Sequence, residues 1–453
     1  MPEVKVVEYP SVPSSEDISR ALGELDGLVL VGSWGPAEWL GLREELRRIG
    51  ARWHRVVYVD RERDPQVSGL SLEDLVASFK AYLESSAGYI AVVVSDAGKR
   101  VSRRELLKAG LGVFFVYTAM PEVRAEQCLS LRSCGICLPS CPYGALSQKP
   151  PQVSERKCTE CGLCASYCPT GLLYVPSHPP TAARRLFHEL KSRGAANVIV
   201  TCPEGRALVY EDETGLSGAV VELPCIAALR IHEYLFARQV GLRVVPYCPN
   251  RLREKCPRGG AAEEYLSLIA ETESLLAGRP EATPAWIEKL PALASPLAGD
   301  KDEWVQLSRL PLFRVDVNRE ACTLCGACVK ACPAHALTLV RDGGYKLKFT
   351  HAECIGCGAC MGVCPERAVS VVRAANPLFL STRQSLEVAS SPEAHCKRCG
   401  AQIGPEVKIK RLAGRLSRAG VPPAQLERLW LCEKCKQEAL ADEFREFLSS
   451  SSS

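Results

Sequence analysis

Twelve of the 24 cysteines in this 453-residue chain fall in a short repeated phrase whose spacing suits metal chemistry. The phrase C-G-x-C-x-x-x-C-P occurs four times, beginning at Cys134, Cys161, Cys325 and Cys357. A further cysteine stands three residues ahead of three copies, at Cys158, Cys322 and Cys354. Two-residue gaps in a tight loop let successive sulfurs converge on one small object, and the small glycines let the backbone approach it. Zinc knuckles or disulfides are the alternative for these fifteen cysteines and for Cys128, and the repeated C-P endings disfavour both.

The completed run C-x2-C-x2-C-x3-C-P resembles the bacterial-type two-cluster ferredoxin family twice, over residues 122–176 and 312–374. The resemblance implies two small α+β modules that move single electrons at low potential. In that family three cysteines of one run and the last cysteine of the other hold each 4Fe-4S cube. In the second module this implies one set at Cys322, Cys325, Cys328 and Cys364, and another at Cys354, Cys357, Cys360 and Cys332. In the first module it implies Cys158, Cys161, Cys164 and Cys141, and Cys134, Cys137, Cys168 and Cys128.

Cys128 departs from the family spacing, because it lies six positions before Cys134. The loop could bulge to deliver the Cys128 thiolate and complete a full cube, which is the interpretation we favour. Alternatively, the site holds a three-iron cluster and Cys128 stays free.

Between the modules, three short β-branched runs each end in a cysteine, which predicts a different kind of site. The runs are "NVIVTCP", "GAVVELPC" and "LRVVPYCP", and they end at Cys202, Cys225 and Cys248. Helical stretches at 182–193 and 226–240 alternate with these strands, so we expect a parallel sheet with right-handed crossovers. Cysteines that follow parallel strands gather at one carboxyl edge, where open α/β sheets bind ligands. A helix opening at Cys225 would favour its thiolate, and Cys256 can supply a fourth sulfur.

Residues 196–260 resemble the delta subunit of methyl-viologen-reducing hydrogenase, an iron-sulfur family that passes electrons into heterodisulfide reductase. The match lies in "TCPEG", "ELPCIAALRIHEYL" and "CPNRLREKC". The cysteine pair of the last segment, Cys248 and Cys256, is more widely spaced than in the family. The resemblance implies a 2Fe-2S cluster on Cys202, Cys225, Cys248 and Cys256. The alternative for these four residues is buried or disulfide-paired cysteine.

Two knuckles without the C-P ending predict a zinc site near the carboxyl terminus. "HCKRCG" and "LCEKCK" place Cys396, Cys399, Cys432 and Cys435 as C-x2-C pairs, the pattern of a closed four-cysteine zinc ribbon. Rubredoxin-like iron uses the same ligands and is the alternative, and we expect the adjacent His395 to be a solvent-exposed neighbour. The basic stretch "EVKIKRLAGRLSRAG" between the knuckles predicts a helix that forms a solvated surface or a docking face for an acidic partner.

A candidate export motif follows the amino-terminal segment. It is "SRRELLK" at 102–108, which resembles a twin-arginine signal. Predicted strands at 4–8, 27–32, 55–60 and 88–94, with helices at 36–49 and 71–86, form an α/β domain ahead of it. An export signal belongs at the amino terminus, so we interpret the motif as a helix with a Ser102–Glu105 capping box. The run "VFFVYTA" after it predicts a strand that leads into the first module. We therefore expect a cytoplasmic protein, and the scarcity of asparagine hints at a thermophilic source.

Taken together, these patterns predict a multidomain α/β and α+β protein with two parallel-sheet domains, two dicluster ferredoxin modules and a zinc-ribbon-like knuckle. The expected boundaries are 1–112 for an α/β domain of unknown role, 113–178 for module 1, 179–270 for the cysteine domain, 271–311 for a linker, 312–380 for module 2, 390–447 for the knuckle and 448–453 for a disordered tail. The expected cofactors are four 4Fe-4S clusters, one 2Fe-2S cluster and one zinc ion. No apolar run reaches the roughly 18 residues that a membrane span needs.

The function predicted from this order is one-electron relay inside a redox complex built around a hydrogenase, a formate dehydrogenase or a heterodisulfide-reductase-like enzyme. The expected partners are other subunits of that complex, with a soluble ferredoxin as a further candidate. The first alternative is a complete oxidoreductase with an unrecognised cofactor, although the chain has no dinucleotide fingerprint. The second is a nucleic-acid-binding protein, which we do not expect because no aromatic platform accompanies the basic stretch. We assign no catalytic residue.

Overall fold

The computed structural model describes residues 2–87, 93–94, 115–116, 120–123, 128, 134–147, 151–211, 215–276 and 302–450. It forms two compact units, which we describe separately. The first comprises Met1–Leu131, Gly135–Leu297 and Leu307–Pro311, and the second comprises Arg132–Cys134, Ala298–Gln306 and Leu312–Ser453. Within the described ranges, no helix combines the length and the apolar character that crossing a bilayer requires.

The first unit begins with a three-stranded parallel sheet of order β1-β2-β3. Its strands and helices are β1 (Val4–Glu8), α1 (Ser15–Leu22), β2 (Gly27–Gly32), α2 (Pro36–Arg48), β3 (Val56–Asp60), α3 (Arg63–Ser68) and α4 (Leu72–Ser86). Every residue of β2 is buried, as a central strand covered on both faces requires. The side chains of Ser14 and Ser71 accept hydrogen bonds from the third residue beyond each and so start α1 and α4. The expected strand and helix ranges in this segment match to within a residue, except the fourth strand.

Short antiparallel pairs connect this sheet to the next one. They are β4 (Val93–Val94) with β5 (Phe115–Val116), β6 (Glu122–Val123) with β9 (Leu173–Tyr174), and β7 (Leu146–Ser147) with β8 (Gln152–Val153). A single turn of helix, α5 (Leu163–Ser166), follows β8. The expected fourth strand, 88–94, is seen only at β4, and the expected helix at 102–108 lies outside the described residues.

A second parallel sheet completes the first unit, with the strand order β11-β10-β12. Its elements are α6 (Pro180–Ser192), β10 (Asn197–Thr201), α7 (Pro203–Glu211), β11 (Ala219–Glu222), α8 (Ile231–Gln239), β12 (Arg243–Pro246), α9 (Asn250–Arg253) and α10 (Gly259–Leu276). The parallel sheet inferred from the sequence is therefore present. α10 continues to Leu276, so the linker expected from 271 begins later than predicted.

The helix expected at 226–240 differs in the structure. A 3-10 turn, Ile226–Ala228, follows Cys225, and α8 begins only at Ile231. The chain is extended at Arg230, because its buried guanidinium donates to Glu233 and to the carbonyl oxygens of Gly171 and Leu173. Cys225 therefore does not open an α-helix, and the expected dipole contribution to its thiolate was wrong.

The second unit contains two antiparallel three-stranded sheets, of order β13-β17-β14 and β15-β16-β18, and a hairpin, β19-β20. Its strands are β13 (Val305–Gln306), β14 (Phe313–Val317), β15 (Leu337–Arg341), β16 (Tyr345–Thr350), β17 (Val369–Ala375), β18 (Ser385–Ser391), β19 (Glu393–His395) and β20 (Gln402–Pro405). Its helices are α11 (Ala327–Ala331), α12 (Ala359–Gly362), α13 (Pro377–Thr382), α14 (Glu406–Arg418), α15 (Pro423–Glu427) and α16 (Glu433–Ser450). The basic stretch forms a helix as expected, and α16 extends to Ser450, so the disordered tail expected at 448–453 is wrong for 448–450.

Candidate metal centres

The second unit brings four predicted ligands around one small cavity between α11 and β15. Cys322, Cys325 and Cys328 line it from one run, and Cys364 reaches it from the other, with Leu324, Gly326 and Leu339 closing the walls. Leu324 and Gly326 both have positive φ, which curls the loop that carries Cys322, Cys325 and Cys328. The cavity thus gathers the ligand set that the crossed ferredoxin pattern implies.

The second ligand set of this module also combines the two runs. It takes Cys354, Cys357 and Cys360 from one run and Cys332 from the other. Burial raises the pKa of Cys354 to about 12, and repulsion from the thiolates of Cys360, Cys332 and Cys357 adds to the rise. Such thiols are costly to ionise without a counter-charge, and bound cations stabilise coordinating thiolates. The donor set therefore fits the cationic core of an iron-sulfur cluster.

Backbone amides point at several of these sulfurs. Leu324 N lies 3.4 Å from Cys322 Sγ, Ala336 N lies 3.3 Å from Cys332 Sγ, and Ala368 N lies 3.3 Å from Cys364 Sγ. Hydrogen bonds to cluster sulfurs are one of the means by which proteins set iron-sulfur potentials.

The first unit repeats this arrangement in module 1. Cys158, Cys161 and Cys164 line a cavity together with Cys141, and Ala145, Leu146, Val153 and Leu163 cover it. Ala145 N and Glu160 N donate to Cys141 Sγ and Cys158 Sγ at 3.3 and 3.4 Å. Glu160 takes positive φ in the loop between the first two cysteines of the run. The residues therefore fit a further cluster of the same kind.

The remaining quartet of module 1 is only partly described. Cys137 and Cys168 pack against the buried side chains of Leu146, Cys164, Ala165 and Leu173, and Cys168 Sγ lies 3.3 Å from Thr170 Oγ1. Cys128 and Cys134 are half-buried, and residues 129–133 between them lie outside the described ranges. The ligand role of Cys128 stays a prediction.

The cysteines of the central domain gather at the carboxyl edge of the parallel sheet. Cys202 directly follows β10, Cys225 follows β11 and Cys248 follows β12. Burial raises the pKa of Cys202, and the charge of Cys248 contributes to the rise. Cys248 also interacts with Cys225 and Cys256, so the four thiols form one electrostatic group.

A tighter cluster of sulfurs lies at the hairpin β19-β20 and the first turn of α16. The sulfurs of Cys396, Cys399, Cys432 and Cys435 all lie within 4.8 Å of one another, with Cys399 and Cys432 at 3.6 Å. Tetrahedral zinc with bonds of about 2.3 Å needs sulfurs about 3.8 Å apart, so the four cysteines fit a single ion. No other cysteine group among the described residues is this compact. The adjacent His395 is exposed and is not part of the group.

The sequence patterns missed the charged residues that surround the cysteine loops. Arg258 and Arg230 donate to backbone carbonyls of module 1 from the central domain, and Arg47 of α2 donates to Glu160 at 2.8 Å. Only Arg258 carried a signal, since it directly follows the "CP" dipeptide at Cys256. The others are distant in sequence from the groups that they contact.

Comparison with known protein families identifies three segments of the chain. Residues 314–375 match the 4Fe-4S dicluster domain, and residues 151–174 and 126–144 each match a 4Fe-4S binding domain. No curated protein is similar to the chain. These matches cover the ferredoxin-like repeats and do not extend to the amino-terminal sheet, the central cysteine domain or the carboxyl-terminal knuckle. The chain is thus an iron-sulfur protein that carries several 4Fe-4S domains and has a role in electron transfer.

Proposed function

We propose that the protein relays single electrons between the subunits of a cytoplasmic redox complex. The observation that carries this proposal is the pair of cysteine-lined cavities at Cys322 and Cys158, one in each ferredoxin-like module. In each cavity three ligands come from one run and the fourth from another, as two-cluster ferredoxins require. Two clusters in each module give four one-electron centres.

The role of the residues themselves is to bind, orient and shield. The 4Fe-4S cluster, when bound, supplies the one-electron chemistry. In module 2 the cysteines would hold the clusters. The Leu324 and Ala368 amides donate toward sulfurs of one ligand set, and the Ala336 amide donates toward a sulfur of the other. Leu324, Leu339 and Leu347 line the first cavity. This machinery needs no general acid, base or nucleophile.

The central domain is proposed to hold a 2Fe-2S cluster on Cys202, Cys225, Cys248 and Cys256, as in the hydrogenase delta subunit that it resembles. The parallel sheet and the placement of three cysteines at its carboxyl edge support this assignment. The four electrostatically linked thiols supply a ligand set of the right number and type. The domain would form a junction between the two modules in the order of the chain.

The carboxyl-terminal knuckle is proposed to bind zinc through Cys396, Cys399, Cys432 and Cys435. A closed four-sulfur site is structural, since it leaves no open coordination position for a substrate. The adjacent basic helix supports a packing role rather than nucleic-acid binding. Lys410 pairs with Glu406 at 2.6 Å, Arg415 pairs with Glu366, and Arg411 donates to the carbonyl of Glu320.

The relay function is tested by anaerobic capture of the tagged full chain from its native cells. We expect a partner subunit that carries a catalytic centre, with which the chain supports substrate-dependent viologen reduction that neither protein supports alone. A Cys360→Ser variant removes one proposed ligand and should keep the partner but lose this coupled activity. Stoichiometric flavin and turnover in the chain alone would instead make it a complete oxidoreductase and refute the relay proposal.

A further inference from the structure

The first 4Fe-4S cavity and the central cysteine group meet through one side chain, that of Arg258. Its Nε donates to the carbonyl oxygen of Thr159 at 2.6 Å, inside the loop between Cys158 and Cys161. Its Nη1 donates at 2.7 Å to the carbonyl oxygen of Pro224, which directly precedes Cys225. A planar guanidinium can hold two acceptors in fixed directions at once, which an ammonium cannot.

The backbone of Arg258 is tied to the same region. Its amide nitrogen lies 3.4 Å from Cys256 Sγ, so the residue contacts a third cysteine loop. Arg258 therefore joins one loop of module 1 to two loops of the central domain. All of these residues belong to the first compact unit.

The two cysteine loops are also in direct contact. Gly162, which follows Cys161, has φ of +75°, and a Cβ at this position would lie 2.7 Å from Ala228 Cα. Ala228 ends the 3-10 turn that follows Cys225. Only glycine, which lacks a Cβ, allows two backbones to approach this closely.

The charge of Arg258 acts on both sites. The guanidinium places its positive charge against the carbonyl oxygen of Thr159, between Cys158 and Cys161, and against the carbonyl oxygen of Pro224, next to Cys225. Cys161 and Cys225 lie within electrostatic reach of each other. Tyr143 lines the cavity of Cys158 and Cys161 and also contacts the segment after Arg258, because its hydroxyl oxygen accepts from Ala261 N at 3.2 Å.

We propose that Arg258 is a positioning residue that couples the two redox sites across the Gly162–Ala228 contact. It fixes the Cys158–Cys161 loop against the Cys225 loop, and its fixed positive charge stabilises the reduced, more negative state of both centres. With both clusters bound, a single electron would pass from the reduced centre to the oxidised one, with no bond broken and no proton moved. The proposal rests on the proposed cluster of the central domain.

The test is an EPR-monitored redox titration of the anaerobically purified full chain, with iron content measured on each sample. The EPR signal that is lost in Cys225→Ala identifies the cluster of the central domain. The magnetic interaction between this cluster and the one at Cys158 and Cys161 reports the relative position of the two. Arg258→Met should retain iron, weaken this interaction and lower both potentials. Each shift should reach about tenfold in the redox equilibrium, or about 59 mV for one electron.

Two variants separate charge from position. Arg258→Lys keeps the charge but loses the planar guanidinium that donates in two fixed directions. It should therefore weaken the magnetic interaction while shifting the potentials less than Arg258→Met does. Arg243→Met removes a charge from the exposed side chain at the opposite, amino-terminal end of β12 and should behave as wild type.

Unchanged potentials and interaction in an iron-replete Arg258→Met protein would overturn the proposal, as would equal shifts in Arg243→Met. If Arg258→Met loses iron, Arg258→Lys becomes the test. An unaltered magnetic interaction between the two centres in Arg258→Lys would overturn the proposal. A wild-type spectrum identical to that of Cys225→Ala is a different result: it would refute the proposed central cluster and with it the inference.

Discussion

Arg206 and Asp64 form a buried ion pair, with Arg206 Nη2 at 2.7 Å from Asp64 Oδ2 and side chains only 5% and 3% exposed. Asp64 lies on α3 beside the amino-terminal sheet, and Arg206 lies on α7 just after Cys202. Arg206 also donates to the carbonyl oxygen of Tyr58 at 3.1 Å and to the Tyr210 hydroxyl at 2.8 Å. These contacts therefore link the amino-terminal sheet to α7, the helix that follows the predicted ligand Cys202.

Arg206→Met should strongly destabilise the first unit. The substitution leaves the Asp64 carboxylate buried without its cation, which typically costs about 3–5 kcal/mol. Adding Asp64→Leu to Arg206→Met should recover part of this loss, because the uncompensated charge is removed. Urea unfolding followed by tryptophan fluorescence measures both. Equal stability of wild type and Arg206→Met would show that the pair does not fasten the two segments.

Acid should destabilise the first unit through His178. This ring is 4% exposed and lies 3.0 Å from the Tyr82 hydroxyl, and burial lowers its pKa to about 4. The unfolded state, with a pKa near 6.5, binds the proton more readily, so stability is present above about pH 6.5 and falls as pH drops toward 4. The slope from this residue is at most about 1.4 kcal/mol per pH unit.

His178→Asn should flatten this part of the stability-against-pH curve, measured by urea unfolding between pH 4 and pH 7. His188→Asn is the matched control, because His188 is exposed on the neighbouring helix α6. If both variants keep the wild-type slope, His178 does not carry the dependence.

Gly356→Ala should prevent assembly of module 2. Gly356 lies between Cys354 and Cys357 with φ of +68°, and an added Cβ would lie 2.1 Å from the Phe313 ring. Gly343→Ala is the control for backbone strain alone, since its φ is +63° and an added Cβ meets nothing within 4 Å. We expect the Gly356 variant to lose about half of the 4Fe-4S iron and the Gly343 variant to lose none, by iron analysis. Full iron in the Gly356 variant would contradict the packing argument.

Cys435→Ser should remove the metal of the carboxyl-terminal knuckle and loosen its hairpin. Cys435 is one of four sulfurs within 4.8 Å, and a four-cysteine zinc site contributes directly to the folding of the segment that holds it. We expect loss of about one zinc per chain with iron unchanged, measured by elemental analysis, and faster proteolysis after Cys399. Zinc content equal to wild type would place the ion elsewhere, and loss of one iron instead would favour the rubredoxin-like alternative.

The contrast between Cys202 and Cys225 shows how far the sequence could predict these sites. The β-branched runs before both residues predicted strands correctly, and parallel pairing then brought the cysteines to one edge. The continuous helix after Cys225 was not correct, because Arg230 is held extended by Glu233 and by two carbonyl groups of module 1. Periodicity describes a segment alone, and this break depends on a contact with another segment.

The same limit applies to the charged residues around the cysteines. Repeated spacing identifies thiols that share a site, because neighbouring ligands are close in sequence. Arg258 and Thr159 are far apart in the chain and meet only after folding, so no local pattern marks their contact. Residues that tune a site are thus harder to predict than residues that form it.

The account is tested most directly by counting iron and acid-labile sulfide per chain after anaerobic purification. Four cubes and one two-iron cluster predict about 18 iron atoms and 18 sulfides, with about one zinc ion. Iron near eight per chain, with sulfide to match, would contradict the four-cluster relay.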